Sequence, residues 1–189
     1  MTVLRGKRLR LRPAREADLD EIVELLAEPK VERWWGPTDR ARARADLLED
    51  PATETFVVEL EGAPIGIVLL SEELDRDYRH ASLDIALRSA HHGRGLGREA
   101  LALVIEHVIR DRGHHRVTID PAADNAVAVR CYTRLGFKAV GIMRRYERTP
   151  QGGWRDGLLM DLLAEEWNPK PWIGTGSSSS AGANPSTRP

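Results

Sequence analysis

A glycine-rich stretch in the middle of the chain has residue types suited to binding a phosphate. It reads His91-His92-Gly93-Arg94-Gly95-Leu96-Gly97-Arg98. Glycine allows a backbone to approach a ligand closely, and a helix that begins here presents its first free N–H groups to an anion. Arg94 and Arg98 add two positive charges. The stretch therefore predicts a pyrophosphate site, and the alternative is a tight turn with exposed arginines.

Two common phosphate-binding motifs do not fit this stretch. No Gly-Lys-Ser/Thr follows the glycines, as a P-loop requires. The spacing of Gly93, Gly95 and Gly97 also differs from that of a dinucleotide-binding fingerprint, and the stretch lies in mid-chain rather than after a first strand. The stretch is therefore neither a P-loop nor a good match to a dinucleotide-binding fingerprint.

The elements on either side must position the glycines. Residues 81–87 alternate between polar and apolar, which predicts a strand. Residues 99–112 carry apolar side chains at helical spacing, which predicts a helix. The glycines thus lie at a strand-to-helix junction, where the helix dipole adds partial positive charge.

The remaining patterns predict a mixed sheet with helices. Strands are expected at 8–13 (an edge strand), 55–60, 64–70, 116–121, 137–142, 144–148 and 154–163, and helices at 17–27, 38–48 and 126–135. The resulting order, β-α-α-β-β-β-α-β-α-β-β, indicates an α+β fold. We expect one domain over residues 1–170 and a disordered Gly- and Ser-rich tail over residues 171–189.

Composition narrows the function classes. A net charge of −1 over 189 residues gives no electrostatic argument for nucleic acid or an anionic membrane as partner. The single cysteine, Cys131, excludes an intramolecular disulfide and a Cys-rich zinc site, and we expect no metal. No apolar run resembles a signal peptide or approaches the roughly 20 residues that span a bilayer. The sequence predicts a cytoplasmic protein, and the paired His114 and His115 are expected on a loop surface.

The glycine stretch resembles the acetyl-CoA loop of the GNAT acetyltransferase superfamily. That loop is usually Gln/Arg-x-x-Gly-x-Gly/Ala, and here it reads His92-Gly93-Arg94-Gly95-Leu96-Gly97, with histidine at the first position. The order of elements matches the superfamily over roughly residues 5–167. The resemblance implies a mixed, mostly antiparallel central sheet flanked by helices, with acetyl-CoA as cosubstrate held between the central strand and the following helix.

The resemblance continues in the next helix, where Asn125, Tyr132 and Leu135-Gly136-Phe137 are similar to an Asn…Tyr-x-x-x-Gly-Phe pattern. It implies that Asn125 contacts the cofactor and that Tyr132 lies near the thioester sulfur. A phenol can protonate the leaving thiolate, and the alternative is that Tyr132 only packs under the sheet. A backbone donor for the oxyanion is expected around Ala86 or Leu87. The implied cofactor site is Ile85, Ala86, Leu87, His92, Gly93, Arg94, Gly95, Leu96, Gly97, Arg98 and Asn125.

A narrower resemblance concerns the acceptor. Four segments look like those of aminoglycoside 6'-N-acetyltransferases: Glu32-Arg33-Trp34-Trp35-Gly36, Ile119-Asp120-Pro121, Arg130-Cys131-Tyr132 and Asp156-Gly157-x-x-Met160. The resemblance implies transfer to the 6'-amine of an aminoglycoside antibiotic, hence resistance, with Asp120 at the reacting amine and Trp35 and Asp156 lining the sugar site. One tryptophan ring is expected to fill the core and the other to form an apolar wall. The substrate site is predicted to contain Trp34, Trp35, Asp84, Asp120 and Asp156.

Acidic residues suit a polycationic amine, but they limit the chemistry of Asp120. A carboxylate 4 Å from an ammonium contributes very roughly 4 kcal/mol at an effective dielectric near 20, and it stabilises the form that cannot attack. We therefore expect Asp120 to anchor and orient the amine, then to take its proton directly or through water. The alternative for Asp120 is a helix-entry cap before Pro121, and Asp84 is expected to face the same pocket.

Two other functions remain open at this point. The same fold and cofactor can serve a protein N-terminus or a lysine-derived or siderophore amine. A non-catalytic CoA-binding domain is the second alternative, which the unusual His92 favours and the presence of Asn125 and Tyr132 opposes. If the protein is an enzyme, we expect its partner to be a small polycationic amine and the protein to be a monomer or a homodimer.

Overall fold

Alternating apolar residues build a large twisted sheet. In the computed structural model, which describes residues 2–149 and 152–169, eight strands lie in the order β1-β2-β3-β4-β5-β6-β8-β7. They are β1 Leu4–Arg5, β2 Leu9–Pro13, β3 Thr53–Leu60, β4 Ala63–Glu73, β5 His80–Leu87, β6 Arg116–Ile119, β7 Lys138–Arg148 and β8 Trp154–Leu163. Within these residues every neighbouring pair is antiparallel except β5 and β6, which are parallel.

In the described part of the chain, five α-helices connect the strands. They are α1 Leu19–Leu26, α2 Pro29–Trp35, α3 Arg40–Arg44, α4 Leu96–Arg110 and α5 Ala126–Leu135. A π-helical turn, Ala45–Glu49, extends α3, and 3₁₀ turns cover Glu16–Asp18, Ser89–His91 and Ala164–Glu166. The mixed sheet with its helices confirms the predicted α+β class.

The sheet has a separate hydrophobic cluster on each face. Successive residues of a strand point to opposite faces, and β3 shows this directly. Phe56 and Val58 pack in a cluster with α4 and α5, whereas Val57 packs in a cluster with α1, α2 and α3. Helices therefore cover both faces of the sheet, and alternate residues of the same strands pack against the helices on each face.

Three predicted elements differ from the structure. The expected edge strand, β2, is covered by β1, whose Leu4 pairs with Leu11. No element was predicted between the helices at 17–27 and 38–48, but Pro29 begins α2, because proline fits the first turn of a helix, and the paired tryptophans end this helix. The two strands expected at 137–142 and 144–148 form a single strand, β7, with an irregular register.

Some predictions concern residues outside the described part of the chain. The predicted disordered tail, residues 171–189, lies outside it, as do Pro150 and Gln151 of the expected hairpin turn. Across residues 2–149 and 152–169, no helix combines the length and the apolar character needed to cross a bilayer.

Candidate active site

The two central parallel strands separate and open a cleft. β5 and β6 pair only at Ala81–Val117 and Ser82–Thr118, near the start of both strands. Beyond these pairs the strands diverge around a cavity of about 770 Å³, close to Asp84 on β5 and Asp120 after β6. Both carboxylates line this cavity, together with residues of α4 and α5. A cleft of this size accommodates a small-molecule ligand.

The backbone of β5 offers hydrogen-bonding groups to the cleft. The N–H of Arg88 donates to the carbonyl of Ile65 at 2.8 Å, so these two residues form a hydrogen-bonded pair between β4 and β5. In an antiparallel pair of strands, every second residue is hydrogen-bonded to the partner strand, and the residues between them point their N–H and carbonyl groups away from it. Ala86, opposite Ile67, therefore directs its N–H and carbonyl into the ladder, whereas Leu87 directs its own toward the cleft. Of the two predicted oxyanion donors, the ladder excludes Ala86 and favours Leu87.

The glycine loop ends in the N-terminus of α4. Gly95 has a φ of +77° and occupies the N-cap, a conformation that favours glycine. The first helical hydrogen bond runs from the N–H of Glu99 to the carbonyl of Gly95, so the N–H groups of residues 96–98 precede it and have no acceptor within the helix. A Cβ placed on Gly93 would meet nothing within 4 Å, so the loop leaves open space beside its backbone. These features fit a pyrophosphate.

Helix α5 forms the second wall of the cleft. The Asn125 side chain caps it by accepting a hydrogen bond from the N–H of Ala128 at 3.2 Å, and Asn125 also lines the cavity. Tyr132 is buried and packs against Phe137, with ring centroids 6.2 Å apart. Burial, and then the neighbouring Asp84, raises the pKa of Tyr132 well above its usual value. The phenol therefore stays protonated and able to donate.

Three acidic residues cluster at one end of the cleft. Asp84 reaches water through the open cleft, but protein atoms surround it on its other sides, and its Oδ1 accepts a hydrogen bond from the N–H of Ile85. This desolvation, together with Asp120 and Glu147, raises the pKa of Asp84 to about 7. Desolvation also raises the pKa of Asp120, although a hydrogen bond from the Tyr146 hydroxyl opposes that rise. Two neighbouring carboxylates thus have different proton affinities.

The opposite end of the cleft is basic. Arg98 on α4 and Arg134 on α5 both lie close enough to Cys131 to lower its pKa, while burial raises that pKa overall. Both arginines line the cavity, and so does Arg130. Tyr132 lies between the two ends, since its neighbours include Cys131 as well as the acidic residues. The cleft is therefore acidic at one end and basic at the other, and the phenol of Tyr132 lies between them.

The two tryptophans line the cleft in different ways. Trp35 packs against the cluster formed by α1, α2 and α3, but it is only partly buried, so it does not fill the core as expected of one ring. Trp34 is contacted by two guanidinium groups, with Arg33 at 4.7 Å and Arg155 at 5.5 Å from its ring centroid. Arg155 also donates to the carbonyls of Arg33 and Trp34 and forms an ion pair with Glu147. Arg155 thus joins the end of α2 to the β7–β8 hairpin.

Most of the residues predicted for the site meet in this cleft. The lining includes Trp34, Trp35, Asp84, Ile85, Ala86, Leu87, His92, Gly93, Gly95, Leu96, Gly97, Arg98, Asp120, Asn125 and Tyr132. Arg94 and Asp156 are not among the lining residues. Arg94 contacts His91 at 3.1 Å, and Asp156 accepts a hydrogen bond from the N–H of Arg145 at 2.7 Å. Their assignment to the cofactor and substrate sites receives no support from their positions.

One histidine expected on the surface is buried. His114 has its Nε2 atom 2.6 Å from Oε1 of Glu72, and Arg112 contacts the same glutamate at 2.5 Å. The prediction was wrong because Glu72 belongs to β4, which brings its carboxylate under the loop. His115, in contrast, is exposed. Within residues 2–149 and 152–169, no three His, Cys, Asp or Glu side chains are arranged to hold a metal ion.

The cleft lining also contains polar residues that the sequence did not assign to the site, among them Arg130, Arg134, Tyr146, Glu147 and Arg155. The helical spacing of Arg130 and Arg134 on the face that carries Cys131 was a usable signal. The other three belong to β7 and β8, and no local pattern in those strands indicates that they reach the cleft.

Comparison with known proteins agrees with this geometry. The family model described as "Acetyltransferase (GNAT) domain" matches residues 8–138. The aminoglycoside N(6')-acetyltransferase type 1 of Klebsiella pneumoniae is 28% identical over 162 residues, covering 75% of this chain and 78% of that protein. The ribosomal protein uS5-alanine N-acetyltransferase of Escherichia coli is 28% identical over 105 residues, covering 56% of this chain and 54% of that protein.

A solved structure shows the same fold with the cofactor bound. The spermidine N-acetyltransferase of Vibrio cholerae, in complex with CoA and spermine, superposes with a TM-score of 0.74 at 23% identity, covering 85% of this chain and 98% of that one. Together with a family match that spans more than half of the sequence, this fold and the glycine loop lead to one conclusion. The chain belongs to the GNAT acetyltransferase family, whose cosubstrate is acetyl-CoA.

Proposed function

We propose that this enzyme transfers the acetyl group of acetyl-CoA to the 6'-amine of aminoglycoside antibiotics. The observation that carries this proposal is the acidic end of the cleft, where Asp84 and Asp120 lie beside Tyr132 and Glu147 lies near both carboxylates. Carboxylates in a partly desolvated cleft attract a polycationic sugar strongly. The similarity to an aminoglycoside N(6')-acetyltransferase over three quarters of the chain supports the same acceptor.

In this proposal the amine must lose a proton before it can attack. An amine with the pKa of lysine, about 10.4, is neutral in only about one molecule in a thousand near pH 7.4. Asp120 anchors the incoming ammonium as an anion. Asp84, whose pKa is raised to about 7, is better matched to receive the proton at neutral pH, directly or through water.

The remaining groups serve the acyl transfer itself. Acetyl-CoA supplies a thioester carbonyl, which the neutral amine nitrogen attacks while the bond to sulfur breaks. We assign the N–H of Leu87 to the developing oxyanion, because it faces the cleft. The hydroxyl of Tyr132, kept protonated by its raised pKa, gives its proton to the departing thiolate. Attack makes the nitrogen acidic, and the second proton that it loses on forming the amide returns the phenol to its neutral state, directly or through water.

Acetylation can be tested directly with the purified full chain. CoA release should be measured with acetyl-CoA and either kanamycin or tobramycin, alongside a related aminoglycoside that carries a hydroxyl at the 6' position. We expect turnover with the 6'-amines and none with the 6'-alcohol. An absence of turnover with every 6'-amino compound would exclude this acceptor class.

The same assay separates the other acceptors that the family allows. A peptide with an N-terminal alanine, spermidine, and a lysine-derived hydroxamate precursor should each be offered at equal concentration. The proposal requires the aminoglycosides to give the highest kcat/KM. Tight acetyl-CoA binding by calorimetry with no turnover on any amine would instead indicate a non-catalytic CoA-binding domain. We also propose a cytoplasmic location, where acetyl-CoA is available.

A further inference from the structure

Tyr146 reaches the acceptor end of the cleft through an irregularity in β7. Between the pairs Met143–Gly157 and Glu147–Arg155, β7 contains two residues more than β8. Arg145 takes a φ of +50°, which is uncommon for a residue with a side chain. Such a bulge re-aims the neighbouring side chain, and here that side chain is Tyr146, which lines the cavity.

Two residues of β8 hold this bulge in place. The N–H of Arg145 donates to Oδ1 of Asp156 at 2.7 Å, which satisfies the backbone at its most strained position. Gly157 makes room for the ring, since a Cβ at that position would lie 2.9 Å from Cδ1 of Tyr146. Asp156, predicted to bind substrate, thus has a structural partner in the strand beside it.

The same stretch of β8 also holds the segment that follows Asp120. Gly157 forms a bridge with Ala122, and the N–H of Leu158 donates to the carbonyl of Pro121 at 2.8 Å. The bulge and the Asp120 segment therefore flank one strand at the same level. This arrangement brings the Tyr146 hydroxyl near the Asp120 carboxylate, where donation by the phenol favours a lower pKa of Asp120 and a higher pKa of Tyr146.

We propose that Tyr146 is a positioning residue for the acceptor amine: its hydroxyl holds Asp120 as an oriented anion beside Asp84. The proposal rests on the proposed amine acetylation. Without this donor, two carboxylates in one partly desolvated cleft would compete for a proton, because like charges disfavour double ionisation. With it, Asp120 stays ionised to bind the ammonium, and Asp84 is left to accept the proton. Desolvation, and then Asp120, raises the pKa of Tyr146 to about 12, so the phenol remains a donor.

Kinetics of Tyr146→Phe, which keeps the ring and removes the hydroxyl, test this role. We expect KM for the best amine found for the wild type to rise about tenfold, while KM for acetyl-CoA stays within about twofold. The acidic limb of the kcat/KM profile should move to higher pH, because Asp120 loses a bond that favours its charged form. Asp156→Ala, which removes the acceptor for the N–H of Arg145, should change both quantities in the same direction. Tyr78→Phe, at a residue that is 75% exposed, should change neither. An unchanged acceptor KM and pH profile in Tyr146→Phe would overturn the proposal.

A spectroscopic measurement tests it independently of turnover. With ¹³Cζ-labelled tyrosine the chain gives three signals, and Tyr146→Phe identifies one of them. In the wild type we expect this signal to remain mostly neutral at pH 11, and in Asp120→Asn its ionisation should begin at lower pH. A Tyr146 that titrates alike in both proteins would overturn the proposal even if aminoglycosides are acetylated. A wild type that acetylates no aminoglycoside, but shows the Asp120-dependent titration, would exclude only the proposed acceptor.

Discussion

The Nε2 atom of His92 lies 2.8 Å from the carbonyl oxygen of Leu87, so the first side chain of the glycine loop is joined to the end of the strand before it. Because the partner is a carbonyl, Nε2 carries the hydrogen. Leu87 is also the residue whose N–H faces the cleft. The histidine at this position, where GNAT loops usually have glutamine or arginine, therefore connects the glycine loop to the proposed oxyanion donor.

Removal of the hydrogen bond between His92 and the carbonyl of Leu87 should weaken the binding of acetyl-CoA. In His92→Ala, we expect KM for acetyl-CoA to rise about three- to tenfold, as the loss of one hydrogen bond would cause. His92→Gln keeps a donor and should remain within about twofold of the wild type. His115→Ala, at an exposed histidine, serves as the control in steady-state assays. Equal KM values in His92→Ala and the wild type would show that the bond does not position the loop.

The loop could be predicted from sequence because its physics is local. Glycines followed by an apolar helical pattern determine both the positive φ of Gly95 and the start of α4 nearby. The helix starts at Leu96, three residues earlier than the apolar periodicity indicated, since Gly95 itself provides the N-cap. Asn125 and Tyr132 were likewise predictable, because both belong to one continuous helical segment and its cap.

The acceptor end was less predictable because it depends on contacts between distant strands. Tyr146 enters the cleft only through a bulge that β8 stabilises, and Arg155 reaches Trp34 across 121 residues of sequence. Asp156 is a residue that was predicted for the site but has a structural contact instead. An acidic residue in a resembling motif predicted a substrate contact, but the register of the hairpin turns its carboxylate to the N–H of Arg145.

Tyr132 is expected to affect turnover rather than binding. In Tyr132→Phe the ring still packs against Phe137, but the donor for the leaving thiolate is lost. We expect kcat to fall by about 10² to 10⁴, the usual contribution of a general acid, with both KM values within about threefold. Tyr78→Phe provides the matched control. A Tyr132→Phe enzyme with wild-type kcat would leave Tyr132 with a packing role only.

Arg155 should be required for the geometry of the acceptor wall. Its side chain is 14% exposed and joins Glu147, the carbonyls at the end of α2 and the ring of Trp34. We expect Arg155→Ala to raise KM for the amine at least tenfold while KM for acetyl-CoA changes little. Arg155→Lys should recover only part of this loss, since lysine cannot make the forked contacts of a guanidinium. Equal effects on the two KM values would point to general unfolding, which thermal melts of both variants would reveal.

Glu99 is expected to contribute to stability. It is buried in the first turn of α4 and accepts hydrogen bonds from the N–H groups of Arg8 and Leu9 at 2.7 and 3.2 Å. Its Oε2 also pairs with the Arg8 side chain. Glu99→Ala leaves buried donors without a partner, so the free energy of unfolding should fall by about 2–3 kcal/mol in urea titrations. Glu24→Ala, at a largely exposed side chain, should change it by less than about 0.5 kcal/mol.

Asp84 should make the fold less stable as pH rises. Its pKa is about 7 in the folded protein and about 3.9 in an unfolded chain, so the folded state holds this proton more tightly. Between about pH 4 and pH 7 the folded state therefore binds more protons, and the free energy of unfolding falls with rising pH in that window. Asp84→Asn removes this dependence. Its melting temperature should exceed that of the wild type at pH 8, and this gain should shrink toward pH 5.

This stability gain should come with a loss of activity. If Asp84 receives the proton of the amine, Asp84→Asn must lower kcat/KM by about 10² or more while it raises the melting temperature at pH 8. Asp77→Asn, in the exposed loop between β4 and β5, serves as the control for both measurements. If the melting temperatures of Asp84→Asn and the wild type differed by the same amount at pH 5 and pH 8, this would contradict the raised pKa of Asp84. Full activity in Asp84→Asn would instead assign the proton to Asp120, so the two readouts together distinguish the base from the anchor.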